Sequence, residues 1–132
     1  MPQKILIIED QATMRRNVAL MLQLEGYNAL TAANGVEGLE IARREHPDLI
    51  LCDVMMPEMD GHACLRALHE DEALKSTPFI FLTAKGDRND VSEGIGLGAN
   101  AYLTKPVVRE DLLAAVDEWL TRSGDERKQA RT

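Results

Sequence analysis

Five side chains in this sequence sit where apolar runs end. Glu9 and Asp10 close the run ILII, Asp53 closes LILC, Thr83 closes FIFL, and Lys105 follows AYLT. If those runs are strands of one sheet, three carboxylates, a hydroxyl and an ammonium share its carboxyl edge. Clustered carboxylates repel, and at least one is driven toward protonation unless a cation intervenes. A few hard oxygen donors suit Mg²⁺, which keeps several waters and is commonly held by one or two carboxylates plus phosphate oxygens. Calcium calls for more protein oxygens than are found here. Zinc calls for histidine or thiolate, and only Cys52 of that kind lies at a strand end. Glu9 and Asp10 are therefore assigned as metal holders. Asp53 is assigned as a further metal ligand and as a nucleophile, a carboxylate role that yields an aspartyl phosphate. Phosphoryl transfer needs positioning and charge neutralisation at the equatorial oxygens, and the Lys105 ammonium is suited to the second task. The Thr83 hydroxyl would meet a phosphoryl oxygen only once that group is present, and such a differential contact is what shifts a conformational equilibrium.

The elements that must position these groups are legible. Five apolar runs, Lys4–Glu9, Asn28–Ala33, Asp48–Asp53, Pro78–Thr83 and Ala99–Thr104, alternate with stretches of helical spacing. Three of the runs are nearly continuous in apolar residues, the pattern of strands covered on both faces. Met14, Val18, Met21 and Leu22 share one helical face, as do Leu112, Val116, Trp119 and Leu120. Gly26 should stop the first helix, and Asn34 with Glu37 resembles a capping box for the second. His46-Pro47 and Thr77-Pro78 break helices before the third and fourth strands. This alternation predicts an α/β fold, a parallel sheet of five strands with helices on both faces. In such a sheet, ligands bind beyond the carboxyl ends of the strands.

Composition bounds the function. The chain has 132 residues, a size for one domain with a sizeable core, with 45% hydrophobic and 28% charged residues. No run approaches the ~20 apolar residues of a membrane span, and no signal peptide is expected. The formal charge of −7, without a basic cluster before the last residues, argues against direct nucleic acid binding by this chain. Cys52 and Cys64 are read as reduced thiols of a cytoplasmic protein. Residues 1–122 are expected to form the domain, and Ser123–Thr132 a short polar tail or the start of a linker.

The segments ILIIED, PDLILCDVMMPEMDG, PFIFLTA and GANAYLTKP, in that order, resemble the receiver domains of two-component response regulators, over about Lys4 to Arg122. The resemblance implies a doubly wound, flavodoxin-like sheet of order 2-1-3-4-5. It makes Asp53 the phosphorylation site, Glu9 and Asp10 the acidic metal pair, Thr83 the switch hydroxyl and Lys105 the phosphate-contacting lysine. It places Met55 where a backbone carbonyl ligates the metal, Tyr102 as the switch aromatic, and Lys105-Pro106 as a peptide bond that is usually cis. The implied protein is a signalling switch rather than an enzyme. It accepts a phosphoryl group with Mg²⁺ from a histidine kinase or histidine phosphotransfer protein and loses it slowly. Its output face is expected on the fourth helix, fifth strand and fifth helix, and it is expected to be a monomer or a phosphorylation-dependent dimer. Met55 and Lys85 occupy positions that tune phosphoryl loss. Methionine orients no attacking water by a strong hydrogen bond, so a long-lived phosphoryl state is expected. Gly94, Gly96 and Gly98 predict a soft fourth helix.

Taken singly, each of these residues has a plainer reading. Glu9-Asp10 alone could be an acidic turn, Asp53 a helix cap, Thr83 a strand former, Lys105 a solvated lysine and Tyr102 a core residue. Only their joint placement lifts them. His62 and His69 are read as solvent-facing, and Met55, Met56 and Met59 as turn and packing residues. An aspartate-nucleophile phosphohydrolase would carry DxD after the first strand, where this chain has Glu-Asp-Gln. A flavin carrier would need a hydroxyl- and glycine-rich cradle there, and an interaction domain that had lost phosphorylation would not keep the whole set.

Overall fold

The structure is a computed structural model that describes residues 2–84 and 98–130, with side chains as far as Ser123. The elements are β1 (Lys4–Ile8), α1 (Ala12–Leu24), β2 (Asn28–Ala32), α2 (Gly35–Glu45), β3 (Leu49–Asp53), α3 (Gly61–His69), β4 (Phe79–Thr83), β5 (Ala101–Thr104) and a C-terminal helix, Arg109–Ala130. All strand pairs are parallel, in the order β2-β1-β3-β4-β5. This is the order expected from the receiver resemblance. The strands begin or end one or two residues inside the expected runs.

Successive strand side chains point to opposite faces of a sheet, and here both faces are covered. Leu6, Ile8, Ile50, Cys52, Phe79 and Phe81 pack with Leu39 of α2 and Cys64, Leu65 and Leu68 of α3. The alternate residues Ile5, Ile7, Leu49, Leu51, Ile80 and Leu82 pack with Val18 and Leu22 of α1 and with Leu112, Val116 and Leu120 of the C-terminal helix. That double cover explains why β3 and β4 are buried throughout, while the edge strand β2 is only partly covered.

The helix ends follow local chemistry. Gly26, at φ 91°, closes α1: its N–H donates to the Gln23 carbonyl at 3.0 Å, and that of Tyr27 to Leu22 at 3.1 Å. This paired return is the Schellman arrangement, and it needs a residue at ease with positive φ. Asn34 Oδ1 accepts from the Glu37 N–H at 2.9 Å, and the Glu37 carboxylate reaches back to the Ala33 N–H at 3.4 Å. Asp60 caps α3 through the Ala63 N–H at 2.9 Å.

One expectation is corrected. His62 is not solvent-facing: it is buried, with its ring edge-on to Phe81 at a centroid distance of 5.1 Å. It shares the inward face of α3 with Leu65, whereas His69 lies at the exposed end of the helix. The C-terminal helix runs to Ala130, inside the segment expected as a polar tail, and Ser123 is still covered by the fold. Lys85, Gly94 and Gly96, and the helix expected around them, lie outside the described residues.

Candidate functional site

The strand ends bring the expected residues together. Glu9 prolongs β1 by one step, its N–H donating to the Ala32 carbonyl at 3.1 Å. Asp53 ends β3, Thr83 ends β4, and Lys105 follows β5 with its N–H on the Thr83 carbonyl at 2.8 Å. Glu9, Asp10 and Asp53 each offer a carboxylate oxygen, and these atoms lie within 4.8 Å of one another. Lys105 Nζ reaches Asp53 Oδ1 at 2.9 Å and Glu9 Oε2 at 3.4 Å. The Lys105-Pro106 peptide is cis, as the resemblance implies.

Backbone geometry holds the nucleophile candidate in place. The Met55 N–H donates to Asp53 Oδ1 at 3.4 Å, while the Met55 side chain is exposed to solvent. Gly61 donates its N–H to the Val54 carbonyl at 2.9 Å, which seats the start of α3 against the end of β3. A Cβ at Gly61 would fall 2.5 Å from the Asp53 carbonyl oxygen and 2.7 Å from the Phe81 ring. Glycine is therefore required there by close approach. Thr83 is buried with its hydroxyl 3.5 Å from the Ala84 carbonyl, a distance at which little bond energy is committed. Tyr102 is half-buried and stacks on Phe81 at 5.7 Å, two residues before Thr83 on β4.

The charge balance is unfavourable. Glu9 is fully buried and Asp53 nearly so, while Asp10 is exposed. Burial, then the charge of Asp53, push the Glu9 carboxyl from its ordinary 4.5 up to about 7. Burial likewise raises Asp53, against the opposing hydrogen bond and charge of Lys105. Burial works against the Lys105 ammonium, but the hydrogen bond and charge of Asp53 outweigh it, and the net shift is upward. Among the described residues, one lysine faces two buried carboxylates and a third exposed one.

The residues present fit a hard divalent cation. Among the described residues, Glu9 Oε2 is buried, meets the Lys105 ammonium at 3.4 Å and accepts no hydrogen bond of good geometry, while Glu9 Oε1 accepts from the Gln11 N–H at 3.2 Å. A buried, acceptor-only oxygen beside two further carboxylate oxygens is the donor set that Mg²⁺ uses.

Two features were missed in the sequence. Arg15 donates through Nη1 to the Glu9 carbonyl at 2.8 Å. A cavity of about 550 Å³ opens beside Lys105, lined also by Met14, Val18, Met21, Pro106 and Val107. The helical face of Met14, Val18 and Met21 was visible in the sequence, but its meeting with Pro106 was not.

Among known proteins, the family model of the response regulator receiver domain matches residues 5–117. The chain is 38% identical over 120 residues to the phosphate regulon transcriptional regulatory protein PhoB of Pseudomonas aeruginosa, covering 91% of this chain and 52% of PhoB. It is 36% identical over 113 residues to protein PilG of the same organism, covering 86% of this chain and 84% of PilG. Thus the chain spans about half the length of most curated relatives it matches. Among solved structures, the chemotaxis protein CheY4 of Vibrio cholerae superposes with a TM-score of 0.85 at 34% identity, covering 89% of this chain and 98% of that one. The order of the strands, the charged carboxyl edge and these likenesses agree, and the chain belongs to the receiver domain family of two-component response regulators.

Proposed function

We propose that this domain is a Mg²⁺-dependent phosphoacceptor whose nucleophile is Asp53. The observation that carries the reading is the Lys105–Asp53 contact at 2.9 Å within the set of three carboxylates. Glu9, Asp10, Asp53 and the backbone carbonyl of Met55 would hold the metal, which when bound supplies charge neutralisation at the phosphoryl oxygens. An Asp53 carboxylate oxygen attacks phosphorus. The new O–P bond forms as the N–P bond of a phosphohistidine donor breaks, and the donor nitrogen keeps the bonding electron pair. Lys105, freed from Asp53, turns its ammonium to a phosphoryl oxygen. The Thr83 hydroxyl, weakly engaged at 3.5 Å, donates to another. Its movement leaves room for Tyr102 to rotate inward from its half-buried place on Phe81, and the surface around β5 and its neighbouring helices changes for an output partner.

The donor, a histidine kinase or histidine phosphotransfer protein, approaches along the apolar cavity beside Lys105. The domain acts as a cytoplasmic signalling switch, not as an enzyme turning over an external substrate, and its only chemistry is self-phosphorylation and slow self-dephosphorylation. It needs no nucleic acid contact of its own, and it works as a monomer or as a dimer formed on phosphorylation. Residues 1–122 form the working unit, with 123–132 as a tail or linker. The exposed Met55 thioether orients no attacking water, so the phosphoryl state is long-lived.

Reductive trapping tests the acceptor. After incubation with acetyl phosphate and Mg²⁺, borohydride reduces an aspartyl phosphate to homoserine. Homoserine at position 53 is the expected result, and homoserine at position 10, or the one-carbon-longer 5-hydroxynorvaline at position 9, instead overturns the assignment. A phosphoryl half-life of seconds would contradict the role given to Met55.

A further inference from the structure

We infer that Arg15 is a positioning residue for the metal-holding turn, a role that rests on the reading of Glu9, Asp10 and Asp53 as Mg²⁺ ligands. Between Ile8, the last residue of β1, and Ala12, the first of α1, the chain turns in three residues, Glu9, Asp10 and Gln11. Three hydrogen bonds close that turn on itself. The Gln11 N–H donates to Glu9 Oε1 at 3.2 Å, the Arg15 N–H to the Gln11 carbonyl at 2.9 Å, and Arg15 Nη1 to the Glu9 carbonyl at 2.8 Å. Only the last of these engages the carbonyl end of Glu9, and it is the shortest.

Asp10 is exposed, so the direction of its carboxylate is set by the backbone that carries it. The peptide plane joining Glu9 to Asp10 contains the carbonyl that Arg15 grips. Fixing that oxygen fixes the plane, and the plane aims Asp10 at Glu9 and Asp53. Gln11, which stands at the N-cap of α1, makes no side-chain cap bond, so the guanidinium is the side chain that ties the helix to the turn. A charged donor on a carbonyl is stronger than a neutral one, and the fork geometry of arginine holds its direction better than lysine does. Arg15 thus acts through Glu9 and Asp10 and touches no reacting atom.

The test measures Mg²⁺ binding by isothermal titration calorimetry on the native chain, Arg15→Ala and Arg15→Lys, with melting temperatures taken alongside. Groups that orient metal ligands typically cost 10–100-fold in affinity when removed. Arg15→Ala should weaken Mg²⁺ binding by about tenfold, the lower end of that range. Arg15→Lys should fall between it and the native chain. Phosphorylation from acetyl phosphate should require proportionately more Mg²⁺ in Arg15→Ala, yet reach within about twofold of the native rate at saturating metal, because no phosphoryl contact is lost. Native Mg²⁺ affinity in a folded Arg15→Ala variant, with only a lower melting temperature, would reduce Arg15 to a structural brace and overturn the inference. Should Arg15→Ala fail to fold, Arg15→Lys decides alone: weakened metal binding supports the role, and native binding overturns it. A native chain that binds no Mg²⁺ would instead overturn the reading of the site, and the role of Arg15 with it.

Discussion

The two ends of β3 obey opposite rules. Leu49, Ile50, Leu51 and Cys52 are buried among apolar neighbours from both faces of the sheet, and each stabilises the fold by leaving water. One residue on, Asp53 is equally enclosed but charged, faces Glu9, and is offset chiefly by Lys105. The same contrast holds in β1, where Ile5–Ile8 precede Glu9. The interior half of each central strand makes the fold stable enough to carry, at its carboxyl end, a charge arrangement that works against it. Real proteins break local rules chiefly at functional sites, and here the break falls at a single residue boundary on neighbouring strands.

Substitutions can break or sharpen that contrast. On the interior side, Leu51→Ala removes a fully buried side chain and should cost about 2–5 kcal/mol, read as a lower denaturation midpoint with unchanged slope. On the charged side, Glu9→Gln should act in the opposite direction. Glu9 loses its proton near pH 4.5 when unfolded but only near 7 when folded. Between those values the folded chain binds more protons, so stability falls as pH rises through the interval and stays lower above it. Glutamine removes that penalty. In metal-free buffer at pH 8 the variant should be more stable than native by on the order of 2–3 kcal/mol, with the gain vanishing below about pH 4.5. Equal stability of the two chains at pH 8 would show that the carboxylate is not penalised.

At the boundary itself, Gly61→Ala forces a Cβ against the Asp53 carbonyl and should cost roughly 1–3 kcal/mol, together with a slower phosphorylation rate because the end of β3 must shift. The smallest effect concerns the metal. Mg²⁺ should raise the melting temperature more at pH 8 than at pH 5.5, where a proton on Glu9 competes with it. On the order of 1 kcal/mol separates the two conditions for each tenfold change in apparent affinity. A larger shift at pH 5.5 would contradict the assignment of Glu9.

Much of this is legible in the sequence. Continuous apolar runs marked the doubly covered strands, and reading what ended each run found Glu9, Asp10, Asp53, Thr83 and Lys105, because in a parallel sheet all strands finish at one edge. The two residues that escaped did so for physical reasons. Arg15 acts on a backbone carbonyl, and a side chain bonding to main chain leaves no pairing pattern in sequence. His62 shares its face with Leu65, so helical spacing could have predicted its burial, but its partner Phe81 comes from a distant strand. Tyr102 and Met55 were placed by family resemblance alone, since a half-buried aromatic and an exposed methionine are unremarkable by composition.

The most direct test of the central claim is intact mass after incubation with acetyl phosphate, on the native chain and on Asp53→Asn, each with and without Mg²⁺. One phosphoryl adduct on the native chain, dependent on Mg²⁺ and absent from the variant, is the predicted result. No adduct on the folded native chain with Mg²⁺ present, or an equal adduct on Asp53→Asn, would contradict the account.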